Sequence, residues 1–294
     1  MKISIIDIGT QSIKHYIFET KGGNKKLYYK RYSEANLGEN ETISPQTMDR
    51  NVAILKQCMD LNDKEGVEKL QILGTDILRK ADNAGAFLSS VKDLFDVEIK
   101  IISHEDEARY LYEGFLSIMP TDSDFAAENI GGGSTEIVTG NLKEMKSLNQ
   151  VPFGVKFLRK SFASGDAIDW KKMAEYVSAE MSISGSAPII FVTGIDLDFI
   201  TTVAPHLGFS FEDNDMPHHP VKFPFHQYEN FVKKLQMTPI SELKEHFTKD
   251  PIYCENVAIG HTVYLEGARK LKAEWVIPSN NDLTDGIIHE LLKK

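Results

Sequence analysis

The sequence predicts an α/β chain made of two related halves. The length of 294 residues exceeds what one core usually holds. Short apolar runs of strand length alternate with stretches of helical period. A segment near the middle repeats one at the start: Asp7-Ile8-Gly9-Thr10 superposes on Asn129-Ile130-Gly131-Gly132, matching two isoleucines, two glycines, and a carboxylate with its amide counterpart. The short polar stretch 120–127 is the expected boundary. It divides the chain into domains 1–122 and 123–294, with the last helix able to return to the first domain.

Ile3 to Ile8 reads as a buried strand and Ser12 to Glu19 as its partner, turning at Gly9-Thr10-Gln11, and a third strand, Lys26 to Tyr32, follows Gly22-Gly23. From Thr47, Met48, Val52, Leu55 and Met59 recur at spacings of three and four, which is one helix face. Leu70 to Leu73 is the next strand. Gly74-Thr75-Asp76 ends it and opens a helix carrying Leu78, Arg79 and Asn83, with Thr75 as its cap. Arg79, one turn into a helix at a strand's carboxyl end, either reaches a ligand crevice or is an ordinary exposed arginine. Val97 to Ser103 is a strand, and Ser103-His104-Glu105-Asp106 fits a capping box for the helix beyond. Glu105, Asp106 and Glu107 lie in its first turn. Glu105 and Asp106 suit the helix dipole there, while repulsion among three carboxylates leaves room for one to face a site.

The second half opens on Glu128 to Val138, E-N-I-G-G-G-S-T-E-I-V. Three glycines before Ser134, Thr135 and Glu136 allow several N–H groups to converge on one spot, as in a phosphate-binding nest. An empty hairpin turn reads equally from that stretch alone. The second copy at the N-terminus favours the nest. Glu136 to Thr139 and Met145 to Val151 form a hairpin, followed by Gly154 and a basic run at Lys156, Arg159 and Lys160. Trp170 to Met181 is an amphipathic helix, and Pro188 to Val192 a buried strand ending at Thr193-Gly194. Residues 204–225 have no clear period. Their Pro217-His218-His219-Pro220 lacks a further ligand at metal-binding spacing and reads as a loop. Thr238-Pro239 starts a short helix, and the chain closes with helix Cys254 to Lys270, strand Ala273 to Pro278 and a helix from about Leu283.

Charged residues make up 26% of the chain and hydrophobic ones 41%, values usual for a globular protein. The net charge of −10 argues against a general nucleic-acid binder, because phosphate-backbone affinity needs a broad basic surface. An anionic small substrate remains compatible if basic groups converge locally. Cys58 and Cys254 lie too far apart in sequence for a disulfide framework, no apolar run reaches membrane-span length, and the N-terminus does not read as a signal peptide. A cytoplasmic setting is therefore expected, with no membrane partner and with a homodimer left open.

Four motifs, D-I-G-T-Q-S-I-K, L-G-T-D-I-L-R-K-A-D-N, I-S-H-E-D-E-A-R and I-G-G-G-S-T-E, resemble the exopolyphosphatase/guanosine pentaphosphate phosphohydrolase (Ppx/GppA) family in order and approximate spacing. That family usually reads D-x-G-S-N-S, A-T-x-A-L-R-x-A-x-N, S-G-x-E-E-A-R and D-I-G-G-G-S-T-E. The resemblance implies two actin-like (ribonuclease H-like) domains with a cleft between them and no extra C-terminal helical domain. It implies a hydrolase releasing terminal phosphate from inorganic polyphosphate or guanosine pentaphosphate with Mg²⁺ or Mn²⁺. A non-catalytic polyphosphate or (p)ppGpp binder is the alternative, and a kinase of the same superfold a third reading.

By the same resemblance Glu107 is the water-activating carboxylate and Arg79 a substrate-phosphate ligand. Gly9, Thr10, Gln11, Ser12, Gly131, Gly132, Gly133, Ser134 and Thr135 bind phosphates, and Asp7 and Glu136 hold the cation. Asn129 stands where the family has the aspartate of its second glycine loop. The family's G-x-G-G-T is replaced by Thr193-Gly194-Ile195-Asp196. Its G-L-R-x-G falls at Asp282-Leu283-Thr284-Asp285-Gly286, and its R-x-D near Tyr253-Cys254-Glu255.

Overall fold

The structure, a computed structural model, describes residues 1–10, 12–22, 24–37, 42–116, 118–119, 122–165, 167–193, 197–216, 218–248 and 253–293. It divides into two compact units, Met1–Asp106 with Leu292–Lys294, and Glu107–Leu291.

The first unit contains β1 (Lys2–Ile8), β2 (Ser12–Lys21), β3 (Asn24–Glu34), α1 (Pro45–Glu65), β4 (Lys69–Gly74), α2 (Asp76–Lys80), α3 (Ala84–Phe95) and β5 (Ile99–Ile101). Its sheet has the order β3-β2-β1-β4-β5. The hairpin strands are antiparallel, and β1, β4 and β5 run parallel. Ser44 caps α1 by accepting from Thr47 N at 3.2 Å, and Gly66 ends it at φ 64°, a left-handed conformation that glycine adopts without Cβ strain. Leu55 and Cys58 of α1 and Phe87 and Val91 of α3 pack with Ile6, Ile8 and Ile72 of the sheet in one apolar cluster.

Helix α4 (His104–Leu116) opens at the division, and Ser103 Oγ accepts from Asp106 N at 3.0 Å, as the capping pattern predicts. The rest of the second unit comprises β6 (Phe125–Ile130), β7 (Thr135–Gly140), β8 (Met145–Val151), α5 (Val155–Phe162), the small hairpin β9 (Ala163–Ser164) and β10 (Ala167–Ile168), α6 (Trp170–Glu180), β11 (Ile189–Thr193), α7 (Leu197–His206), β12 (Glu212–Asp213), β13 (Val221–Pro224), α8 (Phe225–Met237), α9 (Ile240–His246), a 3₁₀ turn at Tyr253–Glu255, α10 (Val257–Lys270), β14 (Trp275–Pro278) and α11 (Leu283–Lys293). The larger sheet is ordered β12-β13-β14-β11-β6-β7-β8. Within it, β8-β7-β6-β11-β14 repeats the order and strand directions of the first sheet.

Period-2 alternation sends β6 side chains to two different cores. Phe125 and Ala127 face Ala108, Leu111 and Phe115 of α4, whereas Ala126 joins the larger cluster with Val177, Phe231 and Tyr264. Because the apolar face of α4 packs on the second sheet, nearly all of this helix belongs to the second unit, and the boundary expected at 122/123 lies beyond its end.

Several local expectations are corrected. Thr75 does not cap α2 with its side chain. The parallel β1–β4 pairing aligns Ile8 with Gly74, and Thr75 Oγ1 donates to Ile8 O at 3.3 Å. The helix expected to run through Asn83 stops at Lys80, and Asn83 instead bonds Ile43 N and Ile43 O, each at 2.8 Å. Thr238 closes α8 by donating to Lys234 O at 2.8 Å, so α9 starts at Ile240 with Pro239 at its cap. Within 204–225, where the sequence shows no clear period, α7 continues to His206 and β12 and β13 form. His219 there is buried against Phe191, with Nε2 2.6 Å from Ser279 Oγ, and serves as a core residue. Pro217, Gly194, Ile195 and Asp196 lie outside the described residues.

Glu128 is the exception in the larger core. Its side chain is fully buried, and among the described residues neither carboxyl oxygen has a hydrogen-bond partner. Gly267 of α10 leaves it room, since a Cβ there would lie 2.1 Å from Glu128 Oε2. Burial first, and the nearby Glu266 second, hold Glu128 in its acid form well above the usual carboxylate range. The unfolded chain ionises this group near pH 4.3. Between that pH and the raised folded pKa the native state retains a proton that the unfolded state has lost, so stability falls as pH rises, at up to about 1.4 kcal/mol per pH unit. Glu128→Gln is expected to raise the melting temperature at pH 8 and to lose that advantage towards pH 4. Urea unfolding of both proteins across this range checks the prediction, and parallel stability curves would refute it.

Candidate active site

The two glycine turns are built alike. In the first, Gly9 N donates to Ser12 O at 3.0 Å, and in the second Gly131 N donates to Ser134 O at 2.8 Å. The hairpins flanking them close on equivalent pairs, Ile8 with Ile13 and Ile130 with Thr135. In the first turn Thr10 O also accepts from Leu37 N at 3.0 Å, while Gln11, expected to bind phosphate, lies outside the described residues. Asp7 is buried at the end of β1, with Lys14 Nζ 3.6 Å from its Oδ2.

The second loop is held from behind by a helix. Val155 N and Lys156 N, the first N–H groups of α5, donate to Gly131 O at 3.0 Å and Gly132 O at 3.2 Å, and Thr135 Oγ1 donates to Phe153 O at 2.9 Å. Gly154 permits this approach, because a Cβ there would sit 2.3 Å from Gly131 O and 2.5 Å from the Gly132 carbonyl carbon. Carbonyls are thus turned towards α5. Among the described residues, the N–H groups of Gly132 and Gly133 enter no backbone hydrogen bond, so they remain donors for an anion.

Strand register places the acidic chemistry beside this loop. Asn129 on β6 pairs with Glu136 on β7, on the sheet face that α4 covers. Asn129 Nδ2 donates to Glu136 Oε2 at 3.1 Å, and Ser134 Oγ donates to Glu136 Oε1 at 2.7 Å, so both carboxylate oxygens are oriented. Glu107 follows the Leu111–Phe115 row of α4 at four-residue spacing. It is 6% exposed, Glu136 is 3% exposed, and carboxylate oxygens of the two lie within 4.8 Å. Two buried carboxylates so close repel unless a proton or a cation lies between them.

His104 is one turn before Glu107, and their ligand atoms also approach within 4.8 Å along the helix. Its Nδ1 lies 2.9 Å from Arg79 Nη2, while Arg79 Nη1 donates to Ile102 O at 2.5 Å. A guanidinium only donates, so this ring nitrogen accepts. Burial, then the Arg79 charge, lowers the His104 pKa, which agrees with a neutral imidazole. Arg79 and Glu107 were singled out in the sequence. His104 and Gly154 were not assigned a site role, although His104 stands three residues before Glu107, a spacing that puts both on one helix face.

A paired hairpin-and-parallel-strand sheet with a glycine turn at each equivalent position defines the class as an actin-like (ribonuclease H-like) α/β protein. The model of the Ppx/GppA phosphatase family matches residues 5–193, and the chain belongs to that family. It is 29% identical over 162 residues to the guanosine-5'-triphosphate,3'-diphosphate pyrophosphatase of Photobacterium profundum, a match covering 53% of this chain and 33% of that protein. The corresponding protein of Aeromonas salmonicida is 28% identical over 183 residues, covering 60% and 37%. The match thus spans about a third of the length of these relatives. Among solved structures, the Aquifex aeolicus Ppx/GppA family member has a TM-score of 0.81 at 22% identity, covering 100% of this chain and 98% of that one. An exopolyphosphatase from Cytophaga hutchinsonii has a TM-score of 0.85 at 17% identity, with the same coverage. Among the described residues, no helix is long and apolar enough to cross a membrane.

Proposed function

We propose that the chain is a phosphohydrolase that releases terminal phosphate from inorganic polyphosphate or guanosine pentaphosphate. The observation that carries this reading is the pair Glu107 and Glu136, set within 4.8 Å beside a glycine loop whose carbonyls are tied back. N–H groups at Gly132 and Gly133 with the Ser134 and Thr135 region cradle phosphate oxygens, Gly9, Thr10 and Ser12 form the corresponding turn of the first unit, and Arg79 binds a neighbouring phosphate. Glu107 orients a water for attack in line with the leaving oxygen and takes up its proton.

The donor set fits a divalent cation: Glu136 offers oriented carboxylate oxygens close to Glu107. Asp7 is the buried carboxylate beside the glycine turn of the first unit that the family resemblance assigns to the cation. When bound, Mg²⁺ or Mn²⁺ neutralises charge on the phosphate oxygens. An anionic substrate is the partner this site calls for.

Arg79→Ala is expected to raise KM for either substrate about tenfold while lowering kcat less, which initial-rate kinetics check; an unchanged KM removes Arg79 from substrate binding. Asn129 bears on the alternative of a weakened, non-catalytic binder. Its amide already fixes Glu136, whereas an aspartate there would set a like charge against that carboxylate. Asn129→Asp is therefore expected to give no gain in turnover. A gain of about tenfold or more, roughly 1.4 kcal/mol in the barrier, would favour the binder reading.

A further inference from the structure

We propose that His104 is a metal ligand, so that this chain holds its cation with a histidine and two glutamates and prefers Co²⁺ or Mn²⁺ to Mg²⁺. The inference deepens the phosphohydrolase reading by naming the ion chemistry of the same site.

Two departures from the family pattern meet in this one place. The motif S-G-x-E-E-A-R has glycine where this chain has His104, and D-I-G-G-G-S-T-E has aspartate where it has Asn129. The carboxylate lost at 129 is replaced by an amide that donates to Glu136 Oε2 rather than facing a cation as a ligand. An imidazole is gained at 104, one helical turn from Glu107, with its ligand atom within 4.8 Å of that carboxylate. Glu107 in turn lies within 4.8 Å of Glu136 across the contact of α4 with β7. The result exchanges an oxygen donor for a nitrogen donor.

Mg²⁺ favours oxygen ligands, whereas imidazole nitrogen strengthens binding along the series from Mn²⁺ to Co²⁺ and beyond. The ring is already a lone-pair donor, since its Nδ1 faces the N–H of Arg79 at 2.9 Å. An ion held through Nδ1 would replace that N–H contact and would leave this arm of Arg79 as a donor for phosphate.

The test is calorimetric titration of the chelator-treated 294-residue protein with CoCl₂, MnCl₂ and MgCl₂ in the absence of substrate, together with the visible absorption of the Co²⁺ form. Parent protein is expected to bind Co²⁺ about 100-fold more tightly than Mg²⁺. His104→Gln is expected to lose about tenfold or more in Co²⁺ affinity, with shifted absorption bands and a Mg²⁺ affinity within about threefold of the parent. His104→Gly, the residue of the family pattern, serves as a second variant, and far-ultraviolet circular dichroism verifies that each is folded. Equal Co²⁺ affinity and an unchanged spectrum in the folded variants would overturn the proposal. Because no turnover is measured, that result leaves the hydrolase reading standing, whereas absence of phosphate release with any ion would defeat that reading alone.

Discussion

Replacing Glu107 with glutamine is expected to lower kcat for phosphate release by about 10²–10⁴-fold, the range typical of removing a general base. Glu107 is buried on α4 and held over the second sheet by Ala108, Leu111 and Phe115, so the amide can occupy the same volume without repacking. What it cannot do is accept a proton from the attacking water. It also weakens the electrostatic field beside Glu136, so KM for the substrate should move less than kcat. The melting temperature should rise or stay unchanged, because the substitution removes one of two close buried carboxylates. Initial rates and a thermal melt on the same preparation separate these effects. A Glu107→Gln variant as active as the parent would remove Glu107 from the chemistry.

Gly154→Ala is expected to reduce kcat/KM by about 10²-fold although residue 154 carries no functional group, because displacement of a positioning element by about 1 Å is enough for such a loss. The added methyl group meets backbone, not a flexible side chain: Gly131 O at 2.3 Å and the Gly132 carbonyl carbon at 2.5 Å. Either α5 retreats and loses the bonds from Val155 N and Lys156 N, or the glycine loop moves with its free N–H groups. Both outcomes displace the loop N–H groups on which the proposed phosphate cradle depends. The comparison is with Gly165→Ala, where among the described residues no atom beyond its chain neighbours lies within 4 Å of the added Cβ, and strain comes from φ +62°. Such a surface change should reduce stability modestly and leave kcat/KM close to the parent value. Equal effects of the two substitutions on kcat/KM would show that the brace behind the loop has no part in turnover.

The repeated turn was legible because it is local. Glycine followed three residues later by a serine produces the same N–H to carbonyl bond in both halves, Gly9 to Ser12 and Gly131 to Ser134, and the alternation of the flanking strands fixes which residues face each core. The motifs I-S-H-E-D-E-A-R and I-G-G-G-S-T-E named Glu107 and Glu136 by resemblance, and the fold brings the two carboxylates within 4.8 Å. What could not be read from spacing depends on distant segments coming together. Helix α5 has a mixed run of aromatic, aliphatic and basic residues, and its role rests on Gly154 touching Gly131 and Gly132, more than twenty residues earlier. Thr75 looked like a helix cap until parallel pairing brought Ile8 O within its reach. Asn83 stands between α2 and α3 rather than riding on a helix, where the main chain of Ile43 satisfies its amide on both sides. His104 belongs to the same group of cases. Its sequence position marks a helix start, and only the packing of α4 on β7 gives its neighbour Glu107 a second carboxylate.

Asn129 shows how one substitution reads differently in sequence and in space. As a missing carboxylate it suggested a site that had lost its chemistry. In the structure its amide donates to one oxygen of Glu136 and Ser134 to the other, and together they orient that carboxylate. The loop therefore keeps an oriented acidic group next to its Gly132 and Gly133 N–H groups.

The most direct measurement is phosphate release from inorganic polyphosphate and from guanosine pentaphosphate by the purified chain, run in parallel with Mg²⁺, with Mn²⁺ and with chelator, and with Glu107→Gln as the control. The predicted result is metal-dependent release of terminal phosphate from at least one of the two substrates, abolished by chelator and lowered in the variant. Tight binding of either compound with no phosphate release under any of these conditions would contradict it.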